Sequence, residues 1–163
     1  MNFSIFTMKR LYIDIDGVLL TTRKTQKPCH AIEFIDYIIT EFDCYWLTSH
    51  CRSGKKEIES LLLYLSSYYN TKTIEKLKTI KPTSWETAKT EGIDLTSDFY
   101  WLDDYPFEFE KAILKKHCKL DRLIVVDLNK PDELKRIKAL LQSINTVSKK
   151  YLFLDIDGVL NSG

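Results

Sequence analysis

The chain has 163 residues, of which 44% are hydrophobic and 29% charged, with 24 Lys and Arg against 23 Asp and Glu for a net charge of +1. That balance fits one compact globular domain and excludes a disordered or fibrous chain. It supplies no global pull toward nucleic acid or an anionic membrane. No apolar run reaches the length of a bilayer span, and Met1 to Arg10 is too weakly apolar for a secretory signal, so a cytoplasmic protein with no membrane partner is expected. The four cysteines, Cys29, Cys44, Cys51 and Cys118, form no CxxC pair. A zinc site from Cys29-His30 and His50-Cys51 is disfavoured, because adjacent residues point in different directions.

In chain order, Leu11-Tyr12-Ile13 reads as a short strand that runs into Asp14-Ile15-Asp16-Gly17. Ala31, Ile35, Ile38, Ile39 and Phe42 recur at helical spacing. Cys44 to Leu47 reads as a buried strand ending in Thr48-Ser49, and Ile58, Leu61, Leu62 and Leu65 mark a second helix. A third helix is predicted from about Pro82 to Glu91, stopped by Gly92. Phe99 to Leu102 is strand-like and ends in Asp103-Asp104, and Pro106 to His117 is helical. Leu123 to Val126 is a strand, followed by a helix with Pro131, Asp132 and Glu133 in its first turn and Leu134, Ile137, Leu140, Leu141 and Ile144 on one face. Strands alternating with amphipathic helices predict an α/β fold, a mostly parallel sheet with helices on both faces. In such sheets the carboxyl ends of the strands line the ligand crevice. That rule singles out Asp14 to Gly17, Thr48-Ser49 and Asp103-Asp104.

Residues two apart in an extended segment point the same way, which would aim Asp14 and Asp16 into one pocket. Such a pair suits a nucleophile or metal ligand beside an acid–base group, and oxygen-only ligands favour Mg²⁺. The bland account is a turn after a strand, with Asp and Gly there for backbone reasons. Thr48 and Ser49 could hydrogen-bond a phosphoryl group or cap a helix, and Asp103-Asp104 could complete a metal shell or begin a turn before Pro106.

Taken in order, these segments resemble the haloacid dehalogenase superfamily of phosphohydrolases, in its capless type. The first family motif, an apolar strand ending in DxDG, corresponds to Asp14-Ile15-Asp16-Gly17. The strand ending in Thr48 corresponds to the second motif, and the strand ending in Asp103-Asp104 to the fourth. Lys81 is assigned to the loosely placed third-motif lysine, with Lys76, Lys78 and Lys89 as competitors. The resemblance spans about Lys9 to Ile144 and implies a three-layer Rossmann-like fold.

It also implies a Mg²⁺-dependent phosphomonoester hydrolase. Asp14 would attack phosphorus to form an aspartyl-phosphate, and Asp16 would serve as acid and then base. Thr48, Ser49 and Lys81 would hold the phosphoryl oxygens. Mg²⁺ would lie between Asp14, the Asp16 backbone carbonyl, and Asp103 or Asp104. Neither Val18 to His30 nor Arg52 to Ile80 is long enough for a folded cap, so an open site for a large phosphorylated substrate is expected. A non-catalytic binding or regulatory module of the same fold and a nucleic-acid end-processing phosphatase are the alternatives. His50 and Arg52, just past the second motif, could contact substrate, although they are not among the residues assigned to the site.

One repeat stands out: LYIDIDGVLL at 11–20 returns as LFLDIDGVLN at 152–161. No second Thr/Ser strand, lysine or acid pair follows it. The expected organisation is therefore a phosphatase domain over 1–148, with its core from about residue 8, and a truncated second copy over 149–163. That tail is expected to be strand-like and able to pair two copies of the chain into a homodimer.

Overall fold

The computed structural model describes residues 7–161, with side chains through 148. Four strands, β1 (Arg10–Ile13), β2 (Asp43–Trp46), β3 (Phe99–Asp103) and β4 (Leu123–Val125), form one sheet in the order β2-β1-β3-β4. Every pairing is parallel, and Ile13 sits level with Trp46 on one side and Leu102 on the other. Five α-helices complete the chain: α1 (Ala31–Glu41), α2 (Ile58–Leu65), α3 (Thr71–Leu77), α4 (Glu108–Lys116) and α5 (Glu133–Asn161). This is the α/β architecture with a parallel sheet that the alternating pattern predicts, and it is compatible with a Rossmann-like fold.

Period-2 alternation along each strand sorts the core into two layers. Leu11, Ile13, Cys44, Trp46, Leu102 and Ile124 face one side, where Phe34, Ile35 and Ile38 of α1, Leu61 and Leu65 of α2, Leu77 of α3 and Leu134, Ile137 and Leu141 of α5 cover them. Tyr12, Phe99 and Trp101 face the other side, against Leu114 of α4 and Ile93. Helix α1 shows the driving pattern clearly: Ala31, Phe34, Ile35 and Ile38 fall at i, i+3, i+4 and i+7 and are all buried. Both flanking layers are apolar, and the charged side chains of the strands lie at the sheet's two edges, Arg10 and Asp43 at the amino ends and Asp103 at a carboxyl end.

One expectation for the segments between the strands needs correction. The stretch 82–92 is not a helix; it carries a single 3₁₀ turn at Lys89–Gly92. The competing interaction is backbone pairing at the free edge of β2. Lys81 N–H donates to the Cys44 carbonyl at 3.0 Å, Trp46 N–H to the Lys81 carbonyl at 2.8 Å, and the buried Thr83 hydroxyl to the Trp46 carbonyl at 2.6 Å. An extended path is thereby imposed on a sequence of Pro, Thr, Ser and Trp that is a poor helix former anyway. The Lys-rich segment after α2 folds instead as α3, capped by Asn70, whose side chain accepts from Thr73 N–H at 2.9 Å. Helices α2 and α3 both feed the main core, so residues 52–80 belong to the body of the domain.

The tail also differs. Helix α5 continues to Asn161, so the backbone of the repeated segment is helical where a strand is expected. No Gly or Pro interrupts the chain from Glu133 to Asp157. A short apolar run joined directly to a helix carries no periodicity of its own that would favour a strand. Packing of the side chains beyond 148, and with it the proposed pairing between copies, lies outside the described residues. Among the described residues, no helix is long and apolar enough to cross a membrane.

Candidate functional site

Sheet order reverses between β1 and β3: the chain steps from β1 to β2 in one direction and returns to β3 and β4 in the other. A parallel sheet opens a crevice at that point, beyond the carboxyl ends of the two strands. Asp14 immediately follows β1, and its N–H donates to the Leu102 carbonyl at 3.1 Å. Asp103 is the last residue of β3. The register therefore sets two carboxylates side by side, and both are buried, Asp14 at 7% exposure and Asp103 at 1%.

Two buried negative charges at this separation require a partner. The partner is Lys89, whose Nζ donates to Asp14 Oδ2 at 2.7 Å and to Asp103 Oδ2 at 2.6 Å. Asp14 Oδ1 accepts from Ile15 N–H at 2.8 Å, and Asp103 Oδ1 from Tyr105 N–H at 2.9 Å. Burial, followed by the charge of Asp103, pushes the Asp14 carboxyl up to about 7 against the opposing pull of Lys89 and the Ile15 amide. Burial pulls Lys89 down, but Asp14 and Asp103 outweigh it and its pKa rises, so the ammonium stays charged. Asp104 is raised as well, by burial and then by Asp103.

The turn after β1 is built by three amides, those of Val18, Leu19 and Leu20, converging on the Ile15 carbonyl. Gly17 lies within it at φ 79°, a left-handed conformation that favours glycine, and a Cβ there would collide with the Asp104 carboxyl. Glycine thus serves both the turn and the close approach of Asp104. Asp14 and Asp16, which their spacing would aim into one pocket, differ in exposure. Asp16 is about half exposed, and its Oδ2 lies 2.8 Å from His50 Nε2. The His50 ring stacks on Tyr64 of α2 at 4.8 Å and 20°. The two acids therefore sit in different environments, one dry and one wet.

Of the residues singled out from sequence, Asp14, Asp103 and Asp104 come together with oxygens within 4.8 Å of one another. Thr48 is fully buried at the end of β2 and accepts from His50 N–H at 3.3 Å, while Ser49 is exposed. Lys81 is not brought to the carboxylates. Its edge pairing turns the side chain outward over the Tyr45 ring, with Nζ 2.8 Å from Asp43 at the start of β2. Lys76 is paired with Asp36, and Lys78 with Glu75. Among the four lysines considered, Lys89 alone reaches the site. Arg52 stacks over Trp85 at 4.4 Å and bonds to the Glu86 carbonyl, which commits its guanidinium to the loop. The cysteines are free, with Cys44 and Cys51 buried and Cys29 and Cys118 exposed. His30 pairs with Asp132 at 2.9 Å, and no Cys/His metal cluster is assembled among the described residues.

Two functional contributors carry no sequence signal of their own. Buried Glu110 of α4 accepts from Lys89 N–H at 2.8 Å and from Phe107 N–H at 3.0 Å. Glu91 accepts from the N–H groups of Glu86 at 2.9 Å and Ala88 at 3.1 Å. These carboxylates fix the 3₁₀ turn that aims Lys89 inward. Only their position three residues beyond a turn start hints at such capping.

The donor set fits a small divalent cation. Lys89 bridges two of the three clustered carboxylates, Asp14 and Asp103, and every ligand atom the three offer is oxygen, the chemistry that Mg²⁺ prefers. A cleft of about 310 Å³ opens beside Asp104 and Gly17, lined also by Thr21, Arg23, Asp127 and Asn129. Comparison with protein families, curated proteins and solved structures returned no match.

Proposed function

We propose that this chain is a Mg²⁺-dependent phosphomonoester hydrolase that works through an aspartyl-phosphate on Asp14. The observation that carries the reading is the buried Asp14–Lys89–Asp103 bridge at the carboxyl edge of β1 and β3, with the half-exposed Asp16 two residues on. Stability alone gives little reason to bury such a group, since burying two carboxylates around one lysine costs several kcal/mol in desolvation. A nucleophile and phosphoryl-binding cation give it one.

In this reading an Asp14 oxygen attacks phosphorus, the P–O bond to the leaving group breaks, and Asp16 gives that oxygen its proton. Water then attacks the same phosphorus, Asp16 takes the water's proton, and the Asp14 carboxylate is released with inorganic phosphate. Lys89, rather than Lys81, supplies the fixed positive charge against the phosphoryl oxygens, and Thr48 stands at the neighbouring strand end to hydrogen-bond them. Asp14, Asp103 and Asp104 would hold Mg²⁺, which supplies further positive charge to keep Asp14 ionised and to offset the phosphoryl group. The two acids suit different roles: a dry carboxylate kept anionic by cations, and a wet one free to exchange protons with the leaving group.

The test is hydrolysis of p-nitrophenyl phosphate with Mg²⁺ and with EDTA, in the wild type and in Asp14→Asn. Metal-dependent turnover that vanishes in the variant supports the proposal. If neither protein turns over and beryllium fluoride with Mg²⁺ leaves the wild-type melting temperature unmoved, the reading fails and a binding module of this fold takes its place.

A further inference from the structure

The residues after Asp103-Asp104 place an unusual surface at the mouth of the site. Tyr105, Phe107 and Phe109 are 75%, 53% and 47% exposed, although large aromatic side chains are normally the first to be buried. They are not scattered. Phe107 and Phe109 lie parallel, with centroids 5.6 Å apart at 9°, and Tyr105 meets Phe107 edge to face at 6.0 Å. Phe107 is held in place from below, because its N–H is one of the two that buried Glu110 accepts. The same carboxylate thus fixes both Lys89 and the aromatic cluster.

The cluster borders a cleft of about 330 Å³ lined by Asp104, Tyr105 and Phe107, with Phe109 stacked behind Phe107, so one small molecule can touch the first two rings while its phosphoryl group lies at Asp104, the outermost of the three clustered carboxylates. At the rim, Glu108 and Lys111 form an exposed pair at 3.0 Å, setting an acceptor and a donor side by side next to the rings. A flat π surface edged by an adjacent acceptor and donor matches a nucleobase, which has a stacking face and hydrogen-bonding edges. It matches a sugar or a simple alkyl group poorly. The surroundings also bound the ligand's size. Acidic Asp104, Asp127 and Glu108 outnumber Arg23 and Lys111 along the two clefts, so the lining lacks the cationic excess that the many phosphates of a long nucleic acid require.

We propose that Tyr105, Phe107 and Phe109 are a stacking platform for the base of a nucleoside monophosphate whose phosphate enters the Asp14 site. The proposal deepens the hydrolase reading and rests on it for the fate of the phosphate, while base recognition is separately measurable. Base–aromatic stacking predicts that the full chain carrying Asp14→Asn, which cannot turn over, binds adenosine 5′-monophosphate about ten- to hundred-fold more tightly than ribose 5-phosphate with Mg²⁺ present. Isothermal titration calorimetry reads both affinities. Phe107→Ala collapses that ratio toward one, Phe107→Tyr keeps it, and the preference changes little between low and moderate salt. Circular dichroism checks that the alanine variant is folded.

The platform is overturned if the two ligands bind alike, if adenosine monophosphate does not bind, if phosphotyrosine binds more tightly than the nucleotide, or if Phe107→Ala leaves the ratio intact. The two readings separate cleanly. A base preference, with no wild-type turnover of any phosphate and no shift in melting temperature with beryllium fluoride and Mg²⁺, removes the hydrolase and leaves the platform. Turnover with no base preference does the reverse.

Discussion

Replacing Asp14 by Asn should make the metal-free protein more stable, not less, at and above neutral pH. Asp14 is buried beside Asp103, and its carboxyl is pushed from an ordinary 3.8 up to about 7. Between those values the folded chain keeps a proton that the unfolded chain has released, so stability falls as pH rises through the window and levels off above about 7. Each unit is worth about 1.4 kcal/mol, which sets an upper limit of about 4 kcal/mol on the burden carried at pH 8. Asparagine removes the charge while keeping the shape. That limit already contains the attraction between Lys89 and Asp14, and in the variant Lys89 retains Asp103 at 2.6 Å. The net expectation is a gain of at most about 4 kcal/mol at pH 8, seen as a rise of several degrees in Tm for a chain of this size. The gain should shrink to nothing or reverse below about pH 4, where the wild-type carboxyl is protonated in both states. Thermal melts of both proteins in a chelator from pH 4 to 8 read this directly. An Asp14→Asn variant that is less stable at pH 8, or whose stability follows pH as the wild type's does, would refute the electrostatic account of the site.

The other expectations use the same contacts. Lys89→Met leaves the buried carboxylates without a counter-charge and should cost about 3–5 kcal/mol in urea unfolding, whereas Lys81→Ala, on an exposed pair, should stay within about 0.5 kcal/mol. Reversed effects would put the functional lysine at 81. Gly17→Ala should destabilise by more than about 1 kcal/mol and abolish turnover, because a left-handed residue gains a Cβ against Asp104; a neutral result in melts and assays would place the turn elsewhere. Asp16→Asn should lower kcat about 10²–10⁴-fold with little change in Tm, since its side chain is 45% exposed; equal losses in both would make Asp16 a structural residue.

What was legible in the sequence follows from the range of the interactions. β1 with its acidic turn, the βαβ alternation and the acid pair after β3 are local signals, and parallel pairing then brings Asp14 to Asp103 without further information. The lysine was not legible. Lys76, Lys78, Lys81 and Lys89 look alike along the chain, and the choice depends on two distant facts: residue 81 pairs with the edge of β2, and Glu110 on α4 catches the amide of residue 89. The 82–91 helix failed for the first of these reasons, since β2 had an open edge that no local pattern announces. The His50–Asp16 contact depends on α2 presenting Tyr64 behind the imidazole, a packing event with no linear motif.

Lys89 stands on a single 3₁₀ turn in the irregular connection between α3 and β3, while the acids it bridges stand at the carboxyl ends of the two central strands. Such a turn opens locally at a smaller free-energy cost than a strand flanked on both sides. Here, however, opening strands three carboxylates beside one another with no cation among them, so their mutual repulsion raises the energy of the open form and drives the turn shut. The charges it covers therefore hold the loop closed in addition to the hydrogen bonds from Glu91 and Glu110. A protein freed of that repulsion, by Asp14→Asn for example, should exchange the amides of residues 86–91 faster even as its global unfolding becomes harder.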